Sequence, residues 1–224
     1  MPVPIVSFTF DDAPRTAFTT AAEILMTRGA RATFFMSLGL LSSETEVGPI
    51  ATEGDLASAL KQGHELGCHT FDHLDAWYTA TREFVRSVEK NKRALDGILP
   101  GAKFRTFAYP KSGPNISTKL NLEKYFVCCR GGGQAPNIGT ADLNLLKGFF
   151  LNNREQDPDR VRRVIDENAS ARGWLIFATH DVSDDPSPHG CATSFFSKTV
   201  EYAARSGAML LPVGEAYDRV VAAS

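Results

Sequence analysis

Short apolar runs, rich in β-branched and aromatic residues, alternate along the chain with longer segments of helical periodicity. The runs have the length of strands, and the segments between them have the length of amphipathic helices. This alternation predicts strand–helix–strand units around a parallel sheet. The predicted strands are Val3–Phe10, Ala32–Met36, Glu65–Cys68, Thr106–Ala108, Phe126–Arg130, Leu146–Leu151, Trp174–Thr179 and Ala208–Leu211. The predicted helices cover residues 17–28, 55–62, 79–98, 117–124, 157–172, 193–205 and 213–222.

Seven or eight such units fit two architectures, a closed (β/α) barrel and an open doubly wound sheet, and periodicity alone does not choose between them. In both architectures the carboxyl ends of the parallel strands meet at one rim, where ligands bind. Polar and titratable residues fall at these strand ends, so we expect them to assemble a single site. They are Asp11, Asp12, His69, Tyr109, Arg130, His180 and Asp181, and Pro110 joins the same rim beside Tyr109.

The composition is that of one soluble globular domain covering residues 1–224. Hydrophobic residues make up 43% of the chain and charged residues 22%, which argues against a disordered or fibrous protein. The formal net charge of -2, without a dense basic stripe, argues against a nucleic-acid partner. Neither an apolar run of ~20 residues nor a signal-type leader is visible, so we expect no membrane partner and a cytoplasmic location. The four cysteines lack metal-binding or disulfide spacing and are predicted to be buried thiols.

Two histidines four residues apart, His69 and His73, follow the third predicted strand. On one helical turn this spacing lets both imidazoles face the same cation, although the same spacing also arises by chance. The chain has only five histidines, so two of them at one strand end favour a metal site. With Asp12 as a third ligand, zinc would keep one coordination position open, which is typical of catalytic sites.

The first predicted strand ends in two adjacent carboxylates, Asp11 and Asp12, which are followed by Ala13 and Pro14. Neighbouring side chains leaving a strand project in different directions, so one carboxylate would bind a metal while the other acts as a base. A plain turn or helix cap is the alternative interpretation. His180, after the seventh strand, carries an imidazole that is suited to protonate a leaving amine, with a structural histidine as the alternative.

Four segments together carry a family resemblance, since they occur in the order and spacing of NodB-type polysaccharide deacetylases. They are Thr9–Pro14, His69–His73, Phe107–Gly113 and Ile176–Asp181. The chain thus resembles carbohydrate esterase family 4 from residue 5 to about residue 215. The resemblance implies a single-domain distorted (β/α) barrel with about seven strands and hydrolysis of an N-acetyl amide on a sugar or glycan. It also implies a divalent metal cofactor, which is Zn2+ or another ion such as Co2+, Ni2+ or Mn2+.

The resemblance also implies a role for each matched residue. Asp12, His69 and His73 would hold the metal, Asp11 would be the general base, and His180 would be the general acid. Substrate would contact Tyr109, Pro110 and Lys111, with a backbone N–H near Lys111 stabilising the oxyanion.

The chain departs from the family pattern at several points. Ala13 stands where the family has Gly, and the third motif lacks the arginine that supports the base. Arg130, or alternatively Arg105, would supply this positive charge. The fourth, Asp-Trp motif is not visible, and the fifth motif has Ala178 where the family often has an aliphatic residue that lines the acyl pocket. Residues 181–191 read either as a loop over the site or as an ordinary surface connection.

Three functions remain open from the sequence. The first is removal of N-acetyl groups from a glycan such as chitooligosaccharide or peptidoglycan. The second keeps the metal site but acts on small cyclic imides, ureides or other amides, which the missing third-motif arginine makes credible. The third is a catalytically inactive glycan-binding barrel, which is disfavoured because all five catalytic and ligand positions carry competent groups. The oligomeric state is open.

Overall fold

The structure, a computed structural model, describes residues 3–223. Within this range one sheet forms the centre of the molecule, and its strands pair in parallel. The strands are β1 (Ile5–Asp11), β2 (Ala32–Met36), β3 (Glu65–Cys68), β4 (Thr106–Ala108), β5 (Cys128–Arg130), β6 (Phe149–Phe150), β7 (Trp174–Thr179) and β8 (Met209–Leu210). Their order is β5-β4-β3-β2-β1-β7-β6, and β8 pairs with the start of β1.

Helices follow most of the strands, as the periodicity predicts. They are α1 (Ala22–Met26), α2 (Glu53–Lys61), α3 (Thr81–Ile98), α4 (Ile116–Leu122), α5 (Pro158–Ala171), α6 (Thr193–Arg205) and α7 (Val213–Ala222). A π-helical turn, Ala17–Ala21, precedes α1. The side chain of Asp157 caps α5 ahead of Pro158, and the threonine before α2 forms a capping box with Asp55. None of the helices in the described range is long and apolar enough to cross a membrane.

Alternation along the strands separates two apolar layers. Phe8 and Phe10 of β1 pack against Phe196 of α6, at ring-centroid distances of 5.6 and 5.7 Å, in the layer between sheet and helices. Ile5 of β1 belongs to a second cluster inside the curled sheet, together with Cys128 of β5. Because side chains alternate with a period of two, Asp11 and Arg130 share the inner face with these residues. The pattern therefore directs both ionisable groups to the interior rim.

The two outer strands of the sheet are joined by residues 143–150, so the sheet curls into a distorted, incomplete barrel rather than an open sheet. Leu146 pairs with Arg130 of β5 through a single bridge. Phe149 and Phe150 then pair with β7 on the other side. The strand predicted over Leu146–Leu151 is therefore regular only at Phe149–Phe150, because the segment crosses from one edge to the other.

Other boundaries differ from the sequence prediction by a few residues. The first strand runs from Ile5 to Asp11, and the predicted strand Phe126–Arg130 begins only at Cys128. The last predicted strand, Ala208–Leu211, is reduced to Met209–Leu210. All four cysteines are buried free thiols, as predicted.

Candidate active site

The carboxyl ends of the strands open into a cleft of about 250 Å³. Seven of the residues predicted for the site line it together with six others. The lining residues are Asp11, Asp12, Glu46, Val47, His69, His73, Tyr109, Lys111, Ser112, Phe150, Asn152, His180 and His189. Groups that lie far apart in the sequence are thus brought to one place by the parallel strands.

The end of β1 turns sharply so that its two carboxylates face different groups. Asp12 and Ala13 adopt left-handed backbone angles, with φ of 60° and 57°. Such angles are unfavourable for residues with a Cβ, which gives a physical reason for a glycine at position 13. Ala13 nevertheless holds the turn, because it is buried and its carbonyl accepts a hydrogen bond of 3.1 Å from the Ala51 N–H. Asp11 consequently faces inward and Asp12 faces the histidines.

Asp11 forms a buried ion pair with Arg130. The guanidinium donates a hydrogen bond to the Asp11 carboxylate, and both side chains are almost fully buried. The rings of Phe35 and Phe150 flank the guanidinium at 5.3 and 5.4 Å. Burial raises the pKa of Asp11, but Arg130 and His69 outweigh it and hold the pKa below its ordinary value.

Arg105, the other arginine considered for this position, lies elsewhere. Its guanidinium forms an exposed two-bond pair with Asp218, at 2.7 and 3.0 Å. The space for Arg130 depends on Gly148, because a Cβ at that position would lie 2.7 Å from the Arg130 Cδ. The guanidinium beside Asp11 therefore comes from β5 and not from the third motif.

Asp12, His69 and His73 form a compact group whose ligand atoms all lie within 4.8 Å of one another. The Asp12 Oδ1 is 3.2 Å from the Nε2 of His73 and 3.7 Å from that of His69. The Nδ1 of His69 contacts the Ala108 carbonyl at 2.7 Å, so this nitrogen carries the proton and Nε2 presents a lone pair to the group. His73 has a left-handed φ of 52°, another locally unfavourable conformation at the site.

The chemistry of this group fits a metal ion. Burial lowers the pKa of His69 to about 3. Burial, and to a smaller extent the positive charge of Lys111, lower the pKa of His73, so both imidazoles are neutral near pH 7. Burial raises the pKa of Asp12 to about 6. Among the described residues, the buried Asp12 Oδ1 has no hydrogen-bond donor. Lone pairs that face each other without a proton between them repel unless a cation lies among them. Tetrahedral zinc with bonds of ~2.1 Å places its ligand atoms about 3.4 Å apart, which is close to the distances from the Asp12 Oδ1 to the two histidines.

His180 faces the other carboxylate oxygen of Asp12. Its Nε2 is 3.7 Å from the Asp12 Oδ2, and its Nδ1 contacts the carbonyl of His189 at 3.2 Å. The ring centroids of His180 and His189 are 5.4 Å apart. His180 is therefore oriented by a backbone carbonyl of the loop that consists of residues 181–191.

That loop is held in place from its first residue. The buried Asp181 carboxylate accepts hydrogen bonds from the backbone N–H and the hydroxyl of Ser187, at 2.8 and 2.5 Å. The backbone carbonyl of Asp181 accepts a hydrogen bond of 2.9 Å from the N–H of Cys191. Of the two interpretations of this loop, the structure supports a wall of the cleft, because His189 lines it.

The third-motif residues are divided between cleft and core. Tyr109 and Lys111 line the cleft, whereas Pro110 between them is buried. Lys111 and Ser112 have left-handed φ values of 58° and 72°. The Ser112 N–H donates to the Tyr109 carbonyl at 3.0 Å, while the Lys111 N–H has no acceptor among the described residues.

Six lining residues were not predicted from the sequence. Glu46 and Val47 come from a two-stranded hairpin, Glu44–Thr45 with Gly48–Pro49, which carries no recognisable motif. Phe150 had a detectable signal, because it lies at the end of a predicted strand like the other site residues. The full set is Glu46, Val47, Ser112, Phe150, Asn152 and His189.

Comparison with known proteins agrees with this geometry. The sequence profile of the family described as polysaccharide deacetylase matches residues 1–125. A chitin deacetylase from a Pestalotiopsis species is 26% identical over 179 residues, which is 79% of this chain and 53% of that protein. The peptidoglycan-N-acetylglucosamine deacetylase of Bacillus cereus is 32% identical over 101 residues, which is 45% of this chain and 39% of that protein. The chain thus spans about half the length, or less, of these relatives.

The fold is shared with solved structures at low sequence identity. The chitin deacetylase of the fungal pathogen Colletotrichum lindemuthianum superposes with a TM-score of 0.69 at 20% identity. The superposition covers 95% of this chain and 87% of that structure, so the distorted barrel is common to both. More than half of the chain matches the family profile, and the rest of the barrel follows the same fold. The chain therefore belongs to the polysaccharide deacetylase family.

Proposed function

We propose that this protein is a metal-dependent hydrolase that removes N-acetyl groups from a sugar or glycan. The observation that carries the proposal is the group of Asp12, His69 and His73, which meets the ion pair of Asp11 and the imidazole of His180 in one cleft. A metal ligand set, a base and an acid are the parts that amide hydrolysis without a covalent intermediate requires.

In the proposed mechanism Asp12, His69 and His73 hold the metal. A divalent ion bound there would act as a Lewis acid on the acyl oxygen and make water a better nucleophile. Asp11 takes the proton from the attacking water. Its ion pair with Arg130 keeps the carboxylate ionised in a buried position, which a base needs before the reaction begins.

Two further groups act on the acyl centre in this proposal. The Lys111 N–H, which is free of a protein acceptor in the described range, stabilises the oxygen that gains negative charge. His180 gives a proton to the departing nitrogen, so that an amine leaves instead of an amide anion. The His189 carbonyl at its Nδ1 keeps the ring in the orientation that points Nε2 into the site.

The substrate class follows from the family and from the arginine. Relatives are named for chitin, peptidoglycan N-acetylglucosamine and chitooligosaccharides, which are all N-acetylated glycans. The missing third-motif arginine was the reason to consider small cyclic imides or ureides. Because Arg130 occupies the place beside Asp11, this reason loses its force. An N-acetylated glycan is accordingly the proposed partner.

Metal analysis coupled to an acetate-release assay on chitooligosaccharides tests the proposal. Asp12→Ala is expected to lose both metal and activity, because it removes a ligand. Asp11→Asn is expected to keep the metal and lose turnover. Asp159→Ala, which removes an exposed carboxylate on α5 away from the cleft, serves as the matched control and should resemble the wild type. Full activity of a metal-free preparation would contradict the proposal.

A further inference from the structure

Two aromatic side chains lie exposed in the loop between His73 and α3. Trp77 is 66% exposed and Tyr78 is 92% exposed. Aromatic rings dominate burial energetics, so leaving two adjacent rings in water forgoes a large stabilisation. Neither residue belongs to the motifs or to the proposed chemistry. An exposed pair of this kind indicates a binding surface.

The loop that carries these rings is held in a defined position. The Trp77 N–H donates to the Asp75 carboxylate at 2.8 Å, and the side-chain amide of Asn115 donates to the Ala76 carbonyl at 2.5 Å. The Trp77 Nε1 lies 3.5 Å from the position that a Cβ of Gly113 would take. The indole is therefore placed against the turn that follows the third motif.

This placement brings the Trp77 end of the aromatic pair next to the cleft. Ser112, the neighbour of Gly113, lines the cleft, and so does His73, four residues before Trp77. The cleft itself, about 250 Å³, lies below the usual ~300–1,000 Å³ of small-molecule sites. A cleft of this size leaves no room for a chain of several sugar units. Additional units of a glycan must then lie outside it, across the rim.

We propose that Trp77 and Tyr78 form a stacking platform for the sugar units next to the one that is deacetylated. The inference rests on the proposed glycan substrate and extends it. A pyranose ring has an apolar C–H face and a hydroxyl edge, which match the flat face and the polar N–H or O–H of these side chains. Each ring has only two side-chain torsions, so ordering it on binding costs little conformational entropy.

A protein partner would use this surface differently. The exposed side of α4 adjoins the same loop and carries Ile116 and Leu120, one helical turn apart and 80% and 56% exposed. A docked protein would cover these aliphatic side chains as well as the rings. A sugar chain on the platform depends on the rings alone. Leu120→Ser therefore distinguishes the two occupants.

The test compares N-acetylglucosamine oligomers of different length. Trp77→Ala is expected to raise the KM for the hexamer about tenfold, equivalent to about 1.4 kcal/mol, with little change in kcat. The effect on the dimer, which offers only one neighbouring unit, should be clearly smaller. Trp77→Phe keeps a ring and should recover most of the affinity. Leu120→Ser should behave as the wild type. Unchanged melting temperatures would show that each variant is folded, as expected for exposed positions.

Three results would overturn the platform. They are equal losses on dimer and hexamer, no loss on either, or a loss in Leu120→Ser that equals that in Trp77→Ala. A second measurement separates the platform from the proposed function. Binding of the hexamer is measured by calorimetry in the Asp11→Asn variant and in the double variant Asp11→Asn with Trp77→Ala. If no oligomer is deacetylated but Trp77→Ala still weakens binding about tenfold, only the proposed function fails. If oligomers are deacetylated and hexamer binding is unchanged, only the platform fails.

Discussion

The ion pair between Asp11 and Arg130 offers a test of how burial governs this site. The perturbation is Arg130→Met, which keeps an unbranched apolar side chain of comparable length but removes the guanidinium. Asp11 is 4% exposed and Arg130 1% exposed. The variant therefore leaves a carboxylate in the interior without the cation that now compensates it. We expect a loss of both folding stability and turnover.

The magnitude follows from the degree of burial. Removing one partner of a buried ion pair costs about 3–5 kcal/mol, because the remaining charge is uncompensated. In a chain of 224 residues each kcal/mol lowers the melting temperature by about 2–4 °C, so the expected decrease is about 6–20 °C. The double variant Arg130→Met with Asp11→Asn carries neither charge of this pair. It should lose less than the sum of the single losses, with a coupling energy of about 2 kcal/mol.

The wild type, the two single variants and the double variant form a double-mutant cycle. Denaturant unfolding of these four proteins measures the coupling energy directly. The matched control is the cycle on Arg105 and Asp218, an arginine pair with side chains 48% and 53% exposed. Exposed pairs contribute about 0–1 kcal/mol, so this control should show little coupling. Additivity at Arg130 and Asp11 within about 0.5 kcal/mol would refute the reasoning.

Three other predictions concern single positions. Gly148→Ala would bring a Cβ to 2.7 Å from Arg130, so we expect a loss of about 1–3 kcal/mol in unfolding free energy, and a wild-type denaturation curve would contradict this. Ser187→Ala removes the hydroxyl that braces the His180 loop and should lower kcat about tenfold in steady-state assays with KM unchanged; a purely raised KM would argue against this role. Burial raises the pKa of Glu65, so the folded state keeps this proton to higher pH than the unfolded state. The wild type should lose stability relative to Glu65→Gln as pH rises above the ordinary glutamate pKa, and a constant difference in melting temperature would be inconsistent with it.

Local patterns predicted most of the architecture. Four strands, including Ala32–Met36 and Trp174–Thr179, have the predicted bounds, because apolar runs of strand length depend little on distant parts of the chain. The distorted barrel came from the resemblance and is confirmed by the fold, since periodicity did not distinguish it from an open sheet. The strand predicted at Leu146–Leu151 shows the limit, because its pairing depends on two different neighbours.

The candidate site, like the fold, was predicted only in part from the sequence. The identities of Asp12, His69 and His73 as candidate ligands were readable from spacing and strand ends. Their approach to within 4.8 Å of one another is a property of the barrel.

The sequence by itself determined the alternating elements, the strand-end positions of the polar groups and the kind of chemistry that they support. Only the tertiary structure decided that Arg130 rather than Arg105 pairs with Asp11, and that the His189 carbonyl orients His180. Only the folded chain likewise placed the exposed Trp77 beside the cleft. The physical reason is that side-chain type and period are local properties. Distances between residues that are not neighbours in the sequence are set by the curvature of the sheet and by its loops.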